Sequence, residues 1–162
     1  MLRPHAFAAR LTSISLDELA ADGVQGLIVD LDNTLLAYRQ EALAEEDAAW
    51  IAAALARGLR VVLVSNNFNE RVTRIGASLG VPTVPSALKP LPRGFLRALS
   101  ILGTKRRATM VVGDQLFTDV LGARLCGLRA ILTDPIAEHD FAGTRVLRFF
   151  ERLVLPERRK RN

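Results

Sequence analysis

The stretch Gly26-Leu27-Ile28-Val29-Asp30-Leu31-Asp32-Asn33-Thr34 passes from an unbroken apolar run into two carboxylates one residue apart. A continuous run of this length reads as a strand buried on both faces, the pattern of a parallel sheet interior. The pattern returns at Arg60-Val61-Val62-Leu63-Val64, at Thr109-Met110-Val111-Val112-Gly113 and from Arg129 to Leu132, with a short extended piece at Thr83-Val84. Helical patterns lie between. Ala44 to Arg57 places Ala44, Ala48, Ile51 and Leu55 on one face, with acids in its first turn, Arg57 in its last and Gly58 behind it. Asn69 is placed to cap a second helix with Val72, Ile75 and Leu79 inward, closed by Gly80 and Pro82. Pro92 opens a third, with Phe95, Leu99 and Leu102 inward and Gly103 as its stop; a fourth runs from about Thr118 to Cys126. Strand and helix alternate throughout. The expected fold class is α/β, a three-layer doubly wound (Rossmann-like) parallel sheet with right-handed crossovers and its ligand outside the carboxyl ends of the strands.

The chain of 162 residues suits one domain with a proper core, expected over residues 1–155, followed by a basic tail over residues 156–162. With 49% hydrophobic and 24% charged residues it is neither a disordered chain nor, lacking an apolar run of roughly 20 residues, a membrane-spanning one. Met1 to Ser13 does not read as a secretory signal, and the single cysteine, Cys126, makes no internal disulfide, so the expected location is cytoplasmic. Cys126 itself reads as a buried helix residue. From Arg145 onward seven basic residues face two acidic ones, which accounts for the whole net charge of +5. The rest of the chain is neutral. The charge therefore speaks of the tail's partner, not of the active site.

Polar residues of one chemical type stand after each strand. The first strand runs into Asp30 and Asp32, the second into Ser65-Asn66-Asn67, the third piece into Lys89-Pro90 and the fourth into Gly113-Asp114, with Asp119 five residues on. In extended backbone, residues i and i+2 face one side roughly 6.6 Å apart, so Asp30 and Asp32 can address one phosphate. Asp30 is the candidate nucleophile, forming an aspartyl-phosphate, and Asp32 the acid and base that serves the leaving oxygen and then water. Several anions meeting at one point require a hard divalent cation, expected to be magnesium on Asp30 and Asp114. Ser65 donates to phosphate oxygen and Lys89 supplies fixed positive charge. Each residue taken singly has an ordinary structural reading as a loop acid, a turn, a surface lysine or a helix-start acid. Their joint order along the chain does not.

Asp30-Leu31-Asp32-Asn33-Thr34-Leu35, Ser65-Asn66, Lys89-Pro90 and Gly113-Asp114-x4-Asp119 resemble the four motifs of the haloacid-dehalogenase-like superfamily. The resemblance implies that Asp32 gives magnesium its backbone carbonyl and that Asn66 joins Ser65 and Lys89 at the phosphate. Thr34 and Asp119 would then stand behind the metal ligands. Only 32 residues separate Asp32 from Ser65 and 23 separate Ser65 from Lys89, all spent on core elements, so neither insertion point has room for a cap domain. The whole of residues 2–155 is similar to the capless YqeG-like branch (subclass IIIA), on Ala87-Leu88-Lys89-Pro90 through Gly94-Phe95, Gly113-Asp114-Gln115-Leu116-x-Thr118-Asp119-Val120 and Pro135-Ile136-Ala137. That branch implies phosphatase activity and includes phosphatidylglycerophosphate phosphatases.

An open site suits a phosphate carried on something large, and a lipid head group is the first expectation. In the tail, Val146, Leu147, Phe149, Phe150, Leu153 and Val154 share one helical arc opposite Arg145, Arg148, Glu151 and Arg152. Residues 145–161 fit an interfacial helix with a polybasic patch on the inner face of an anionic membrane, and fit equally a helix docked on the protein's own core or a second subunit. Nucleic acid fits less well, since no aromatic platform interleaves the charges. Two other functions remain: a capless phosphatase for a soluble nucleotide, sugar phosphate or phosphoprotein, and a receiver-like domain that accepts phosphate without turnover. His139 reads as a loop histidine, and His5 and Trp50 carry no functional argument.

Overall fold

The computed structural model describes residues 2–37, 42–67 and 70–136. Its elements run β1 (Ala6–Ala8), α1 (Leu16–Ala21), β2 (Gly26–Asp30), α2 (Glu45–Ala56), β3 (Arg60–Val64), α3 (Glu70–Leu79), β4 (Thr83–Val84), α4 (Pro92–Leu102), β5 (Thr109–Gly113), α5 (Leu121–Leu125) and β6 (Arg129–Thr133). The strands form one parallel sheet in the order β1-β6-β5-β2-β3-β4. The α/β doubly wound architecture, with no cap domain among the described residues, is as the sequence leads one to expect.

Strand alternation splits the core in two. Leu27, Val29, Val61, Leu63, Met110 and Val112 pack toward α1, α2 and α3, where Leu19, Trp50, Ile51, Val72 and Ile75 meet them. Ile28, Val62, Val64 and Val111 pack the other way, against Phe95, Ala98 and Leu102 of α4 and Ala123 of α5. The strands carry no polar face because both faces are covered. Phe95 is fully buried, a burial that stabilises by roughly 1.5–3 kcal/mol. It fits because residue 122 is glycine: a Cβ there would lie 2.2 Å from the Phe95 ring.

The chain winds outward from β2 through β3 to β4, then crosses back to β5 on the other side of β2. Carboxyl ends of β2 and β5 are therefore the switch point, where an open α/β sheet forms its ligand crevice.

Three local details differ from the sequence reading. The buried stripe of α2 is Asp47, Trp50, Ile51 and Ala54, not Ala44, Ala48, Ile51 and Leu55. The helix is so rich in alanine that periodicity barely distinguishes its faces, and Trp50 settles the rotation, burying its ring while Nε1 donates to the Ile14 carbonyl at 3.0 Å. The fourth helix begins earlier, as a π-helical turn over Leu116–Val120 that continues into α5. The β1 edge strand and α1, capped by Ser15 accepting from the Glu18 amide, precede the first expected strand. The Asn69 cap, His139, the amphipathic pattern of residues 145–161 and the domain boundary at residue 155 lie outside the described residues.

Candidate active site

Asp30 is the last residue of β2 and pairs in register with Val64, so Ser65 follows beside it. On the other flank Val29 pairs with Val112, which brings Gly113 and Asp114 level with the end of β2. The sheet register alone thus gathers three of the expected residues. Lys89 arrives from the loop after β4, where Ala87 donates to the Ser65 carbonyl and Leu91 to the Leu88 carbonyl.

The site has a dry half and a wetter half. In the dry half Asp30, Lys89, Asp114 and Asp119 are all buried. The Lys89 ammonium bridges Asp30 Oδ1 and Asp119 Oδ1, the latter at 2.7 Å. Asp119 Oδ2 accepts from the Gln115 amide at 3.1 Å, and Thr34 Oγ1 donates to Asp114 Oδ1 at 3.5 Å. Gly113 makes room for this arrangement: a Cβ there would lie 2.3 Å from the carboxyl carbon of Asp119. Asp30 Oδ2 is buried and has no hydrogen-bond partner among the described residues. Burying an unpartnered carboxylate oxygen is costly unless something else meets it.

In the wetter half, Asp32 is partly exposed. Its Oδ2 accepts from Ser65 Oγ at 2.5 Å and its Oδ1 from Arg71 Nη2 at 3.0 Å. Ser65 Oγ in turn accepts from the Asn67 amide at 3.0 Å. The Asn66 side chain is engaged with the Lys89 backbone: its Nδ2 donates to the Lys89 carbonyl at 3.1 Å and its Oδ1 accepts from the Lys89 amide at 2.6 Å. It positions the lysine. Arg71 was not legible as a site residue, yet one signal existed: a cation in the first turn of α3 opposes the helix dipole and calls for an anionic partner.

Burial and charge also shape the dry half. Burial pushes the Asp30 carboxyl well above the usual carboxylate range; Lys89 pulls it back, while Asp119, Asp114 and Asp32 push it up again. Burial alone would lower the Lys89 ammonium, but Asp119 and Asp30 outweigh that and hold it charged beyond its ordinary value. Among the described residues the four carboxylates Asp30, Asp32, Asp114 and Asp119 gather where Lys89 pairs with Asp30 and Asp119 and Arg71 pairs with Asp32. Carboxylate oxygens of Asp30, Asp114 and Asp119 lie within 4.8 Å of one another. A hard divalent cation fits this buried set of carboxylate oxygens. All the residues expected at the site are brought to the carboxyl edge of the sheet, Asp30, Asp32, Ser65, Lys89, Asp114 and Asp119 at its centre, Thr34 and Asn66 behind them.

Residues 16–127 match the family model described as haloacid dehalogenase-like hydrolase. The chain is 36% identical over 152 residues to the Bacillus subtilis protein called "Probable phosphatase YqeG", covering 94% of this chain and 88% of that one. It is 27% identical over 142 residues to the chloroplastic phosphatidylglycerophosphate phosphatase 1 of Chlamydomonas reinhardtii, of which it spans 53%. Among solved structures, the cobalt-bound deoxy-D-mannose-octulosonate 8-phosphate phosphatase of Haemophilus influenzae superposes with a TM-score of 0.58 at 17% identity, covering 83% of this chain and 89% of that one. That likeness is one of fold. On the family model, the near full-length relative and the ordered set of strand-end residues, the chain belongs to the haloacid dehalogenase-like hydrolases.

Proposed function

We propose that the protein is a phosphatase, a phosphoric monoester hydrolase working through an aspartyl-phosphate on Asp30. The observation that carries this reading is the buried, unpartnered Oδ2 of Asp30 at the switch point, flanked by a lysine and by a second carboxylate two residues on. Asp30 Oδ2 attacks phosphorus, and the bond from phosphorus to the leaving oxygen breaks. Asp32 delivers the proton that this oxygen needs. Asp32 then takes a proton from water, whose oxygen attacks the same phosphorus, and the Asp30 carboxylate and inorganic phosphate are released.

Ser65 now donates to Asp32, and on substrate binding its hydroxyl turns to a phosphate oxygen. Lys89 offsets charge on the transferring group, with Asn66 fixing its backbone and Asp119 its ammonium. Magnesium, held by the carboxylates of Asp30 and Asp114 and the backbone carbonyl of Asp32, would supply the charge neutralisation that lets an anionic nucleophile approach an anionic ester. Thr34 steadies Asp114.

We further infer that the phosphate is borne on a lipid head group such as phosphatidylglycerophosphate. The capless architecture and the relative of that activity support this, and the basic stretch at residues 145–161 gives the chain a means of peripheral contact with the inner face of a membrane. No helix of the described residues is long and apolar enough to cross a membrane. The test is phosphate release from phosphatidylglycerophosphate in detergent micelles with magnesium. Turnover there, lost in Asp30→Asn, is the expected result. Robust hydrolysis of soluble phosphates with none of the lipid would shift the substrate to a nucleotide, sugar phosphate or phosphoprotein. A single phosphorylation without turnover would replace the phosphatase by a receiver-like acceptor.

A further inference from the structure

The two helical layers differ in surface chemistry. The α1–α2 layer exposes Asp17, Glu18, Asp22, Glu45 and Glu46, with Arg10 and Arg57 paired to Glu46 and Asp17. Across the sheet, residues 85–128 hold seven basic residues and only two acidic ones, Asp114 and Asp119, both buried in the site. The α4–α5 layer and its loops therefore expose no carboxylate. Arg93 and Arg97 of α4 are exposed and pair with no acid among the described residues.

The same layer is unusually apolar at its surface. Six large hydrophobic side chains are exposed among the described residues, and five of them, Leu88, Leu91, Leu96, Ile101 and Leu125, lie here. Leu88 and Leu91, each 55% exposed, stand at the two ends of the turn whose Lys89 reaches the reaction centre. Leu88 sits at φ +55°, a conformation that a branched residue adopts only when its surroundings hold it there. Arg93, Leu96 and Arg97 are i, i+3, i+4 neighbours on α4, directly beyond this turn.

We propose that the turn at residues 88–91 and the exposed side of α4 dock on an anionic lipid bilayer, with leucines entering the interface and Arg93 and Arg97 meeting head groups. This rests on the lipid reading of the substrate, since such a contact serves an enzyme whose phosphate must be presented at a membrane. A bilayer satisfies both halves of the pattern. A nucleic acid would use the cations but gain little from leucines, and no exposed aromatic side chain offers a base platform among the described residues. The surface is built from residues other than 145–161, and its turn carries Lys89 into the site.

The test is co-sedimentation of the full chain with phosphatidylcholine vesicles carrying or lacking phosphatidylglycerol. Binding is expected only to the anionic vesicles, and Arg93→Ser/Arg97→Ser should weaken it roughly 25-fold, taking about fivefold for each basic residue near such a surface. Neither residue touches the site, so turnover of a soluble aryl phosphate should be unchanged in that variant. Unaltered vesicle binding in Arg93→Ser/Arg97→Ser, with loss in Arg158→Ser/Arg159→Ser, would overturn the proposal in favour of the tail. Absence of wild-type binding to anionic vesicles would overturn it too, as would a dimer that Leu96→Ser dissolves. The micelle assay keeps the two readings apart: lipid turnover in micelles without vesicle binding defeats the docking face alone, whereas no lipid turnover with intact aryl phosphatase activity defeats the substrate.

Discussion

Asp30 and Asp32 are the same residue type two positions apart, yet the fold gives them opposite surroundings. Asp30 is 4% exposed, tied to a buried ammonium, with one oxygen left without a hydrogen-bond partner. The Asp32 side chain is 24% exposed and has both oxygens engaged, by a hydroxyl and a mostly buried guanidinium. A nucleophile must be fixed, desolvated and free at one atom; a proton shuttle must reach both leaving group and water. On the proposed function, the environment rather than the residue type would assign the two roles.

The largest effect should come from emptying the dry half of its cation. Lys89→Met leaves Asp30 and Asp119 buried and facing one another, which should cost about 3–5 kcal/mol in urea unfolding without metal. It should also lower kcat by several orders of magnitude. If activity fell while stability held, the lysine would matter only to the substrate. Asp32→Asn should then sharpen the contrast, with kcat reduced roughly 10²–10⁴-fold on an alkyl phosphate. The loss should be much smaller on an aryl phosphate whose leaving oxygen needs no proton. Equal losses on both would mean that Asp32 does something other than move a proton.

Gly113→Ala tests how the dry half is built. The new methyl would displace the Asp119 carboxyl, with an expected cost of about 1–3 kcal/mol in stability. Removing Arg71 from the wetter half should do less to the fold. Arg71→Met is expected to slow turnover while leaving the unfolding midpoint nearly unchanged, because the pair it breaks is partly solvated.

A titration tests the dry half. Burial raises the Asp30 carboxyl above the ordinary carboxylate range, against the pull of Lys89, so without metal it holds its proton to higher pH in the folded state than in the unfolded chain. Its stabilising contribution is complete at low pH and is lost as pH climbs above the ordinary carboxylate range. Magnesium must displace that proton, so metal affinity should fall as pH drops toward the acidic range, and Asp30→Asn should flatten the dependence. Calorimetric magnesium binding against pH measures it. A pH-independent affinity would contradict a raised Asp30 carboxyl.

Much of this was legible in the sequence because parallel sheets announce themselves. Gly26–Asp30, Arg60–Val64 and Thr109–Gly113 are built on apolar runs; the first ends on Asp30 and the other two lead directly into Ser65 and Asp114. What escaped had weak local signals. Ala6–Ala8 is a three-residue edge strand, only partly buried, whose pairing with Ile131 to Thr133 no local pattern encodes. The rotation of α2 turned on one tryptophan among alanines. The Asn66 clamp on Lys89 and the Arg71 contact with Asp32 join positions 23 and 39 residues apart, fixed by how α3 and the loop after β4 pack. The contrast between an acidic helical layer and a cationic, leucine-bearing one appears only when charges are assigned to faces of the sheet.

The central claim is that Asp30 forms the covalent bond to phosphorus. Rapid acid quench after mixing with a phosphate-labelled substrate, followed by mass mapping of the trapped phosphopeptide, addresses it directly. The label should reside on Asp30, persist longer in Asp32→Asn and be absent from Asp30→Asn, which should also show no turnover. Label on any other residue, or undiminished turnover by Asp30→Asn, would contradict the account.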